Sequence, residues 1–248
     1  MDRIGLNYQL IVASIDGDIN AVKYLIEDGA NVNWSDSYGY TPLIFASRER
    51  HLEIVKYLVE KGANVNHGNN QGTTPLIFAS RDGHFDIVKY LVEHGANVNQ
   101  SDNNGYPPLS WASNHEYLDI IKYLVSHNAD YSSIMNQPIF QDIIISESNK
   151  LKNKLTERYG LVKHIPGHNL PKDALLRTIY EEPYQNYCNP SGTGLPPIQL
   201  IALANILNNT LPKKRGLIEY GGKFEPIDLH LSWSDLCKKV KQALYLLL

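Results

Sequence analysis

Apolar and polar positions repeat every 33 residues along the first half of the chain. A small residue marks the register in each copy, at Ala13, Ala46, Ala79 and Ala112. A Lys-Tyr-Leu triplet follows in each copy, at 23–25, 56–58, 89–91 and 122–124. Such a shared spacing is typical of a repeat protein, in which each unit buries its apolar face against its neighbours.

Each copy predicts two short helices joined by a turn, and the second copy illustrates the pattern. Thr41-Pro42 predicts a helix start, because a hydroxyl caps free backbone N–H groups and proline is well suited to the first helical position. Apolar spacing predicts the second helix at Leu52–Lys61. Gly62 follows, where a helix end favours a left-handed residue. The polar stretch 63–72, rich in Asn and Gly, predicts a turn that extends away from the helices.

Two recurring segments resemble the ankyrin repeat family. They are Tyr40–Ser47, with the sequence Tyr-Thr-Pro-Leu-Ile-Phe-Ala-Ser, and Gly62–Asn66, with the sequence Gly-Ala-Asn-Val-Asn. The resemblance implies an all-α ankyrin-repeat solenoid of helix-turn-helix units with short hairpin-like turns. Residues 1–131 would then hold a cap-like first repeat and three further repeats.

The copies depart from the family pattern at a few positions. The family usually has His after Thr-Pro-Leu, whereas this chain has Ile44, Ile77 and Ser110, so dispersion contacts must replace a polar link. The fourth copy begins with Tyr106-Pro107-Pro108 and has Asn128 where the other copies have glycine. The first copy has no Thr-Pro start and therefore resembles an N-terminal cap.

The 33-residue period ends after Tyr131. Apolar spacing and a following glycine predict one long helix at Gln137–Tyr159. A shorter helix is predicted at Lys172–Tyr180, followed by a loop rich in Pro and Gly. We therefore expect 132–193 to be a helical insertion.

A weaker copy of the repeat follows the insertion. Gly194–Ile198 has the sequence Gly-Leu-Pro-Pro-Ile and resembles Gly105–Leu109. The segment 194–248 is therefore predicted to hold a degenerate ankyrin-like repeat. Its last part, Ser232–Leu248, is predicted to form a helical C-terminal cap.

Composition narrows the class of protein. A net charge of −3 argues against a nucleic-acid binder, whose surface would be basic. Cys188 and Cys237 are too few for a disulfide scaffold or a Cys-rich zinc module, and they fit a reducing compartment. No apolar run reaches the roughly 18 residues of a membrane span, and residues 1–5 lack the start of a signal peptide. We expect a cytoplasmic monomer with no membrane span.

The distribution of charge suggests a type of partner, and the residue usage suggests a cellular location. Residues 1–131 contain 9 Lys/Arg and 16 Asp/Glu, net −7, whereas 132–248 contain 14 and 10, net +4. This division favours either a protein partner with a basic segment or contact between the two halves. The abundance of Asn, Ile and Tyr resembles ankyrin proteins of intracellular bacteria and large DNA viruses, which would place the chain in a host cytosol.

Candidate chemistry is sparse. In the repeats we find no catalytic constellation, metal spacing or cofactor motif. His51 and His84 share a register position where the ankyrin family normally has His, so the resemblance implies a structural role for both. In the insertion, His164, His168 and Cys188 could supply a base and a nucleophile, but their spacing matches no motif. Trp233–Val240 loosely resembles a box that recruits ubiquitin-ligase adaptors, although a capping helix explains the same residues.

The resemblance implies that the concave face of the repeats binds a protein, without enzymatic activity. The alternative is a targeting array joined to an enzymatic or ligase-adaptor region in 132–248. Phe45, Phe78 and Trp111 are equally expected to pack between repeats. By register, the predicted contact residues are Trp34, Ser37, Tyr38, Tyr40, Phe45, Arg48, Glu49, Asn70, Gln71, Phe78, Arg81, Asp82, Asn103, Asn104, Tyr106, Trp111, Asn114 and His115.

Overall fold

A computed structural model describes residues 3–159, 197–210, 227–229, 231, 235–236 and 239–240. The chain divides into two compact units, Met1–Ser133 and Ile134–Leu248. The described residues form helices, turns and loops, and they contain no β-strand. Each unit is described below by itself.

The first unit consists of four consecutive helix pairs. The first helices of the pairs pack against one another in order, and the second helices form an adjoining layer. The bounds are α1 (Arg3–Asp16), α2 (Ile19–Glu27), α3 (Pro42–Arg48), α4 (Leu52–Glu60), α5 (Pro75–Arg81), α6 (Phe85–Glu93), α7 (Pro108–Asn114) and α8 (Leu118–Ser126). This arrangement confirms the all-α helix-turn-helix repeat predicted from the sequence.

The predicted signals for helix starts and ends are confirmed. Thr41 and Thr74 accept backbone N–H groups of α3 and α5 through Oγ1, at 3.3 and 3.2 Å. α4 ends at Glu60, one residue earlier than predicted, and Lys61 is its C-cap. Gly62 then adopts a φ of +88°, the left-handed conformation that favours glycine after a helix.

The core of the first unit runs between the two helix layers. Ile44 and Ile77, which replace the polar residue usual in the family, are fully buried, as are Leu58 and Leu91 of the second helices. Each repeat is too small to bury these side chains alone, so neighbouring repeats complete the core. Apolar packing thus replaces the missing polar link, as the sequence predicts.

The second unit contains two described helices that pack against each other, α9 (Pro138–Tyr159) and α10 (Pro197–Thr210). Phe140, Ile143 and Ile144 are buried on α9. Ser148 of α9 donates to Ala202 O of α10 at 3.2 Å. The predicted long helix at Gln137–Tyr159 is confirmed, starting one residue later.

α10 starts at Pro197, which corresponds by sequence to Pro108 at the start of α7. However, α10 has 14 residues and α7 has 7. The rest of the predicted fifth repeat, including the 193/194 boundary, lies outside the described residues. The degenerate repeat therefore remains a prediction.

Other predictions also fall outside the described residues. They concern the Lys172–Tyr180 helix and its loop, and the side chains of His164, His168, Cys188, Trp233 and Cys237. In the predicted C-terminal cap, 235–236 and 239–240 are described and are helical.

Candidate functional site

An aspartate or asparagine closes each hairpin-like turn, at Asp36, Asn69 or Asp102. Its Oδ1 accepts the backbone N–H groups of the residues two and four positions later, at 2.9–3.0 Å. A backbone bond closes the same span, for example from Asp36 N–H to Tyr40 O at 3.1 Å. These local bonds fix the conformation of the turn and hence the position of the residues at its tip.

Asparagine residues join successive turn tips. Asn70 donates to Ser37 O through Nδ2 and to Tyr38 O through its backbone N–H, both at 3.0 Å. Asn103 makes the same pair of bonds one repeat later, to Asn70 O at 3.1 Å and Gln71 O at 2.9 Å. Asn70 and Asn103, predicted as contact residues, therefore hold the turns together.

Glycine is required where one turn approaches the next. Gly39 and Gly72 have φ values of +80° and +74°. A Cβ on Gly39 would lie 2.7 Å from Asn70 Oδ1, and a Cβ on Gly72 would lie 2.6 Å from Asn103 Oδ1. Any other side chain at these positions would therefore strain the backbone and displace the bridging asparagine.

The turn tips present aromatic side chains to solvent. Tyr38 is 70% exposed and Tyr106 is 48% exposed. Ser37, Gln71 and Asn104 are exposed beside them. The bridged turns therefore hold large side chains on the surface with a fixed backbone beneath.

A second group of aromatic residues lies where the turns meet the first helices. Tyr40 stacks on Phe45 with ring centroids 5.1 Å apart, and its ring lies 5.9 Å from that of Phe78 in the next repeat. The guanidinium carbon of Arg48 lies 4.9 Å from the Phe45 centroid, and that of Arg81 lies 4.7 Å from the Phe78 centroid. Both phenylalanines are buried, so they form a floor beneath the two arginines.

Both arginines are paired with the residue that follows them. Arg48 Nη2 lies 2.8 Å from Glu49 Oε1. Arg81 makes two bonds to Asp82, with Nε–Oδ1 at 2.9 Å and Nη2–Oδ2 at 3.1 Å. Each pair is partly exposed, and the two charges within it cancel. These four predicted contact residues therefore add no net charge to the surface.

The fourth repeat carries a separate aromatic group. Trp111 Nε1 donates to Asp102 Oδ2 at 3.3 Å. The Trp111 ring meets Tyr106 edge-on at 5.9 Å and stacks on His115 at 6.5 Å. Trp111 is half-buried, whereas Phe45 and Phe78 at the same register are buried. The aromatic surface is the name we give to the side chains of these two groups, and of Tyr38, that are exposed or partly exposed. It comprises Tyr38, Tyr40, Arg48, Arg81, Tyr106, Trp111 and His115.

Two remaining predicted contact residues lie at other places in the repeats. Trp34 is half-buried in the loop before the Asp36 turn, and its backbone N–H donates to Asn31 O at 3.0 Å. Asn114 is exposed as the last residue of α7.

The sequence prediction missed a second series of bridging asparagines. Asn66 accepts Asn97 N–H through Oδ1 at 2.7 Å and donates to Gly95 O through Nδ2 at 3.1 Å. Asn33 and Asn99 make the equivalent pairs of bonds at the same register. The recurring Gly-Ala-Asn-Val-Asn segment was a signal for this series, because its second asparagine recurs once per repeat.

The histidines of the shared register are structural, as predicted. His51 donates through Nε2 to Ile15 O, and His84 donates to Arg48 O, each at 2.9 Å. Both bonds connect a repeat to the one before it. The ring of His51 also fills the space beside Gly17, where a Cβ would lie 2.6 Å away.

Shifted pKa values occur on the second helices. Burial, and then the nearby Glu60 carboxylate, raise the pKa of Tyr90. The hydrogen bond from Lys56 to Glu53, at 2.8 Å, raises the pKa of Lys56. Lys56 and Glu53 form an exposed ion pair one helical turn apart, which indicates a solvated helix surface and not a reactive pair.

Comparison with known families identifies the repeats. A family model described as ankyrin repeats (3 copies) matches residues 5–69 and 62–134. The chain belongs to the ankyrin-repeat family. A search of curated proteins finds no match.

Ankyrin repeats are generally protein–protein interaction modules. Among the described residues, no group of three or more His, Cys, Asp and Glu side chains is placed to hold a metal ion. In the same part of the chain, no helix has the length and apolar character needed to cross a membrane.

Proposed function

We propose that the ankyrin array binds a partner protein through the aromatic surface and carries out no chemistry itself. The observation that carries the proposal is Tyr38, a large side chain that is 70% exposed on a turn joined to its neighbour by two hydrogen bonds. Tyrosine, tryptophan and arginine contribute most to the affinity of protein interfaces. All three occur on this surface.

Preorganisation supports the proposal. Arg48 and Arg81 rest on buried phenylalanine rings and are held by adjacent carboxylates. Because their side chains are already ordered, binding costs little additional conformational entropy. A partner can then bind across several repeats without rearranging them.

The charge of the array supports a partner that contains a basic segment. Residues 1–131 have a net charge of −7, whereas the Arg48–Glu49 and Arg81–Asp82 pairs are neutral. A basic segment would thus be attracted by the array as a whole and not by a single ion pair. Raised salt should slow association more than it speeds dissociation.

Selection from a displayed library of random peptides tests the proposal. The full chain serves as the bait, without counter-selection. The recovered peptides are then titrated against the wild-type chain and against Arg48→Ala/Glu49→Ala, which removes the ion pair without changing the net charge, with circular dichroism as the check on its fold. We expect recovered peptides to bind the wild-type chain about tenfold more tightly than Arg48→Ala/Glu49→Ala, because the partly exposed guanidinium surface above Phe45 is lost. We also expect these peptides to be rich in Lys and Arg.

Two outcomes would count against the proposal. Peptides that bind the folded Arg48→Ala/Glu49→Ala variant as tightly as the wild type would place the binding site elsewhere. Recovered peptides with no excess of Lys and Arg would contradict the proposal that the partner contains a basic segment. They would not contradict binding through the aromatic surface.

A further inference from the structure

The hydrogen bonds between turn tips end at the last turn of the array. At the first junction, Asn70 donates to two successive carbonyl oxygens through its backbone N–H and its Nδ2, at 3.0 Å each. At the second junction, Asn103 does the same, at 2.9 and 3.1 Å. The third pair of carbonyl oxygens, on Asn103 and Asn104, accepts no hydrogen bond from any described residue. The last turn therefore presents two acceptors whose equivalents are both filled in the earlier turns.

The space beside these two oxygens is open. A Cβ on Gly39 would lie 2.7 Å from Asn70 Oδ1 and 2.8 Å from Asn70 N, so the bridging residue fills the space beside that glycine. Gly105 has the same register and a similar φ of +84°, but a Cβ on Gly105 would meet no atom within 4 Å. A donor from outside the array thus has room to approach the last turn as Asn70 approaches the first.

The aromatic ring of the last turn is also less covered than its equivalent. The ring of Tyr40 lies 5.9 Å from that of Phe78 in the next repeat, and Tyr40 is half-buried. Tyr106 has the same register, but it meets only Trp111 of its own repeat among the described aromatic rings, and it is 48% exposed. Its backbone N–H donates to Asp102 Oδ1 at 3.0 Å, which fixes its position in the turn. The last turn therefore combines two open acceptors with an exposed ring.

Arginine is the side chain whose chemistry matches both features. Its guanidinium group holds several N–H donors in one plane, so one residue can bond to two carbonyl oxygens, and the same plane stacks on aromatic rings. The array already contains such a contact, since the guanidinium carbon of Arg81 lies 4.7 Å from the Phe78 centroid. The net charge of −7 over residues 1–131 also favours a cation. Lysine has the charge without the planar donors, and asparagine has the donors without the charge.

A second copy of this chain does not suit the open acceptors. In an end-to-end stack of two copies, the first turn of one copy would follow the last turn of the other. That first turn has Ser37 at the register of the bridging asparagines Asn70 and Asn103. Serine has no amide group and cannot reproduce the bridging pair of N–H donors.

We propose that the carbonyl oxygens of Asn103 and Asn104, together with the ring of Tyr106, bind one arginine side chain of the partner protein. We call these three residues the arginine subsite. This proposal rests on the proposed function, because it assigns one chemical group of the partner to one end of the aromatic surface. The arginine supplies the donors that the next repeat supplies at the earlier turns, and it places the basic segment of the partner at the last turn.

An NMR titration of the full, isotope-labelled chain with small probes tests the subsite without a partner. The probes are arginine, lysine and asparagine, each blocked as the N-acetyl N-methylamide. Blocked arginine should shift the backbone amide signals of Gly105 and Tyr106 saturably. Its Kd should be about threefold or more below that of blocked lysine, because lysine lacks the planar fork of donors. Blocked asparagine should bind more weakly than blocked arginine, because it has no charge.

A variant of Gly105 places an obstacle in the subsite. Gly105→Asn puts a Cβ where the bridging residue lies at the earlier turns, so blocked arginine should no longer shift the neighbouring signals. Asparagine tolerates the left-handed backbone, as Asn128 does in this chain with a φ of +65°. Gly29→Asn is the matched control, because Gly29 has a φ of +98° and equally open surroundings but lies after α2. This control should bind blocked arginine like the wild type.

Each contrary result overturns a definite part of the proposal. Absent shifts in the wild-type chain, or shifts that persist in Gly105→Asn, would show that the last turn is not the site. Equal affinity for blocked arginine and blocked lysine would leave only attraction by charge. Tighter binding of blocked asparagine would assign the acceptors to a neutral donor.

A peptide from the displayed library separates this proposal from the proposed function. We expect Gly105→Asn to weaken an arginine-containing peptide about tenfold and to leave its Arg→Ala analogue unchanged. A peptide weakened by Tyr38→Ala but not by Gly105→Asn would keep the binding function and remove the arginine subsite. Shifts by blocked arginine, combined with a peptide affinity that is unchanged in Tyr38→Ala, would keep the subsite and contradict binding through the aromatic surface.

Discussion

At the scale of single residues, Asn69 occupies a turn position that holds an aspartate in the neighbouring copies. Asp36 and Asp102 close the same turn with a carboxylate, and Asp102 uses its second oxygen to accept Trp111 Nε1–H. Asn69 instead has Nδ2 buried with no hydrogen-bond partner among the described residues. A buried donor that has lost its water without gaining a partner costs stability.

Asn69→Asp should therefore stabilise the array by about 1 kcal/mol, because it removes the unpaired donor and keeps the acceptor for two backbone N–H groups. Urea denaturation at neutral pH measures the change. Asn104→Asp is the control, since it adds the same charge at an exposed position of the next turn and should change stability by less than about 0.5 kcal/mol. Destabilisation by Asn69→Asp would show that the buried charge outweighs the gain.

Single residues also show what the sequence could predict of the site. The 33-residue register of the sequence correctly located Tyr38 and Tyr106 on turn tips, because turn signals depend on local sequence. The burial of Phe45 and Phe78, which the sequence left open as an equal alternative to partner contact, depends on the neighbouring repeat, and so does the bridging role of Asn70 and Asn103. Those contacts could not be deduced from one copy taken alone.

At the scale of helices, α7 lacks the cap found in its neighbours. Thr41 and Thr74 cap α3 and α5 through a side-chain hydroxyl, whereas Pro107 precedes α7 and supplies no side-chain bond. Its φ and ψ of −75° and 167° are close to the −84° and 165° of Thr74. The backbone is thus already suited to a threonine.

Pro107→Thr should stabilise the array by less than about 1 kcal/mol, because the hydroxyl can add a second acceptor for the Ser110 N–H, which already donates to Pro107 O at 3.1 Å. The gain is reduced by the greater freedom of the unfolded chain once proline is removed. Thermal unfolding measures it, and Thr74→Ala should show the opposite change of about 1 kcal/mol. Equal melting temperatures for Pro107→Thr and the wild type would reject the capping account.

Helix bounds followed closely from the sequence where capping residues and glycine mark them, as at Thr41 and Gly62. α10 was predicted less well. Its start at Pro197 agrees with the repeat register, but its 14 residues continue well beyond the length of α7. Its packing against α9, a helix distant in the chain, is a tertiary contact that local spacing does not reveal.

At the scale of the whole molecule, each repeat added to the first unit enlarges the surface of the array but does not deepen its core. Each repeat of the first unit packs on the next, and bridging asparagines join successive loops. These bonds supply coupling between neighbours, which determines how cooperatively a repeat array unfolds.

Asn66→Ala should lower the stability of the array by about 1–2 kcal/mol, because it removes two hydrogen bonds between adjacent repeats. It should also broaden the unfolding transition, since the repeats on either side become less coupled. Asn104→Ala, at an exposed turn tip, should leave both quantities unchanged. Identical urea curves for the two variants would show that the asparagine series does not couple the repeats.

The affinity of one selected peptide for the wild-type chain, Tyr38→Ala and Tyr24→Ala tests the central claim most directly. The two tyrosines are similarly exposed, but Tyr38 lies on the aromatic surface and Tyr24 lies on a second helix. In calorimetric titrations, we expect Tyr38→Ala to weaken binding about tenfold or more and Tyr24→Ala to leave it unchanged. Equal affinity for the wild type and Tyr38→Ala, or a loss with Tyr24→Ala alone, would contradict binding through the aromatic surface.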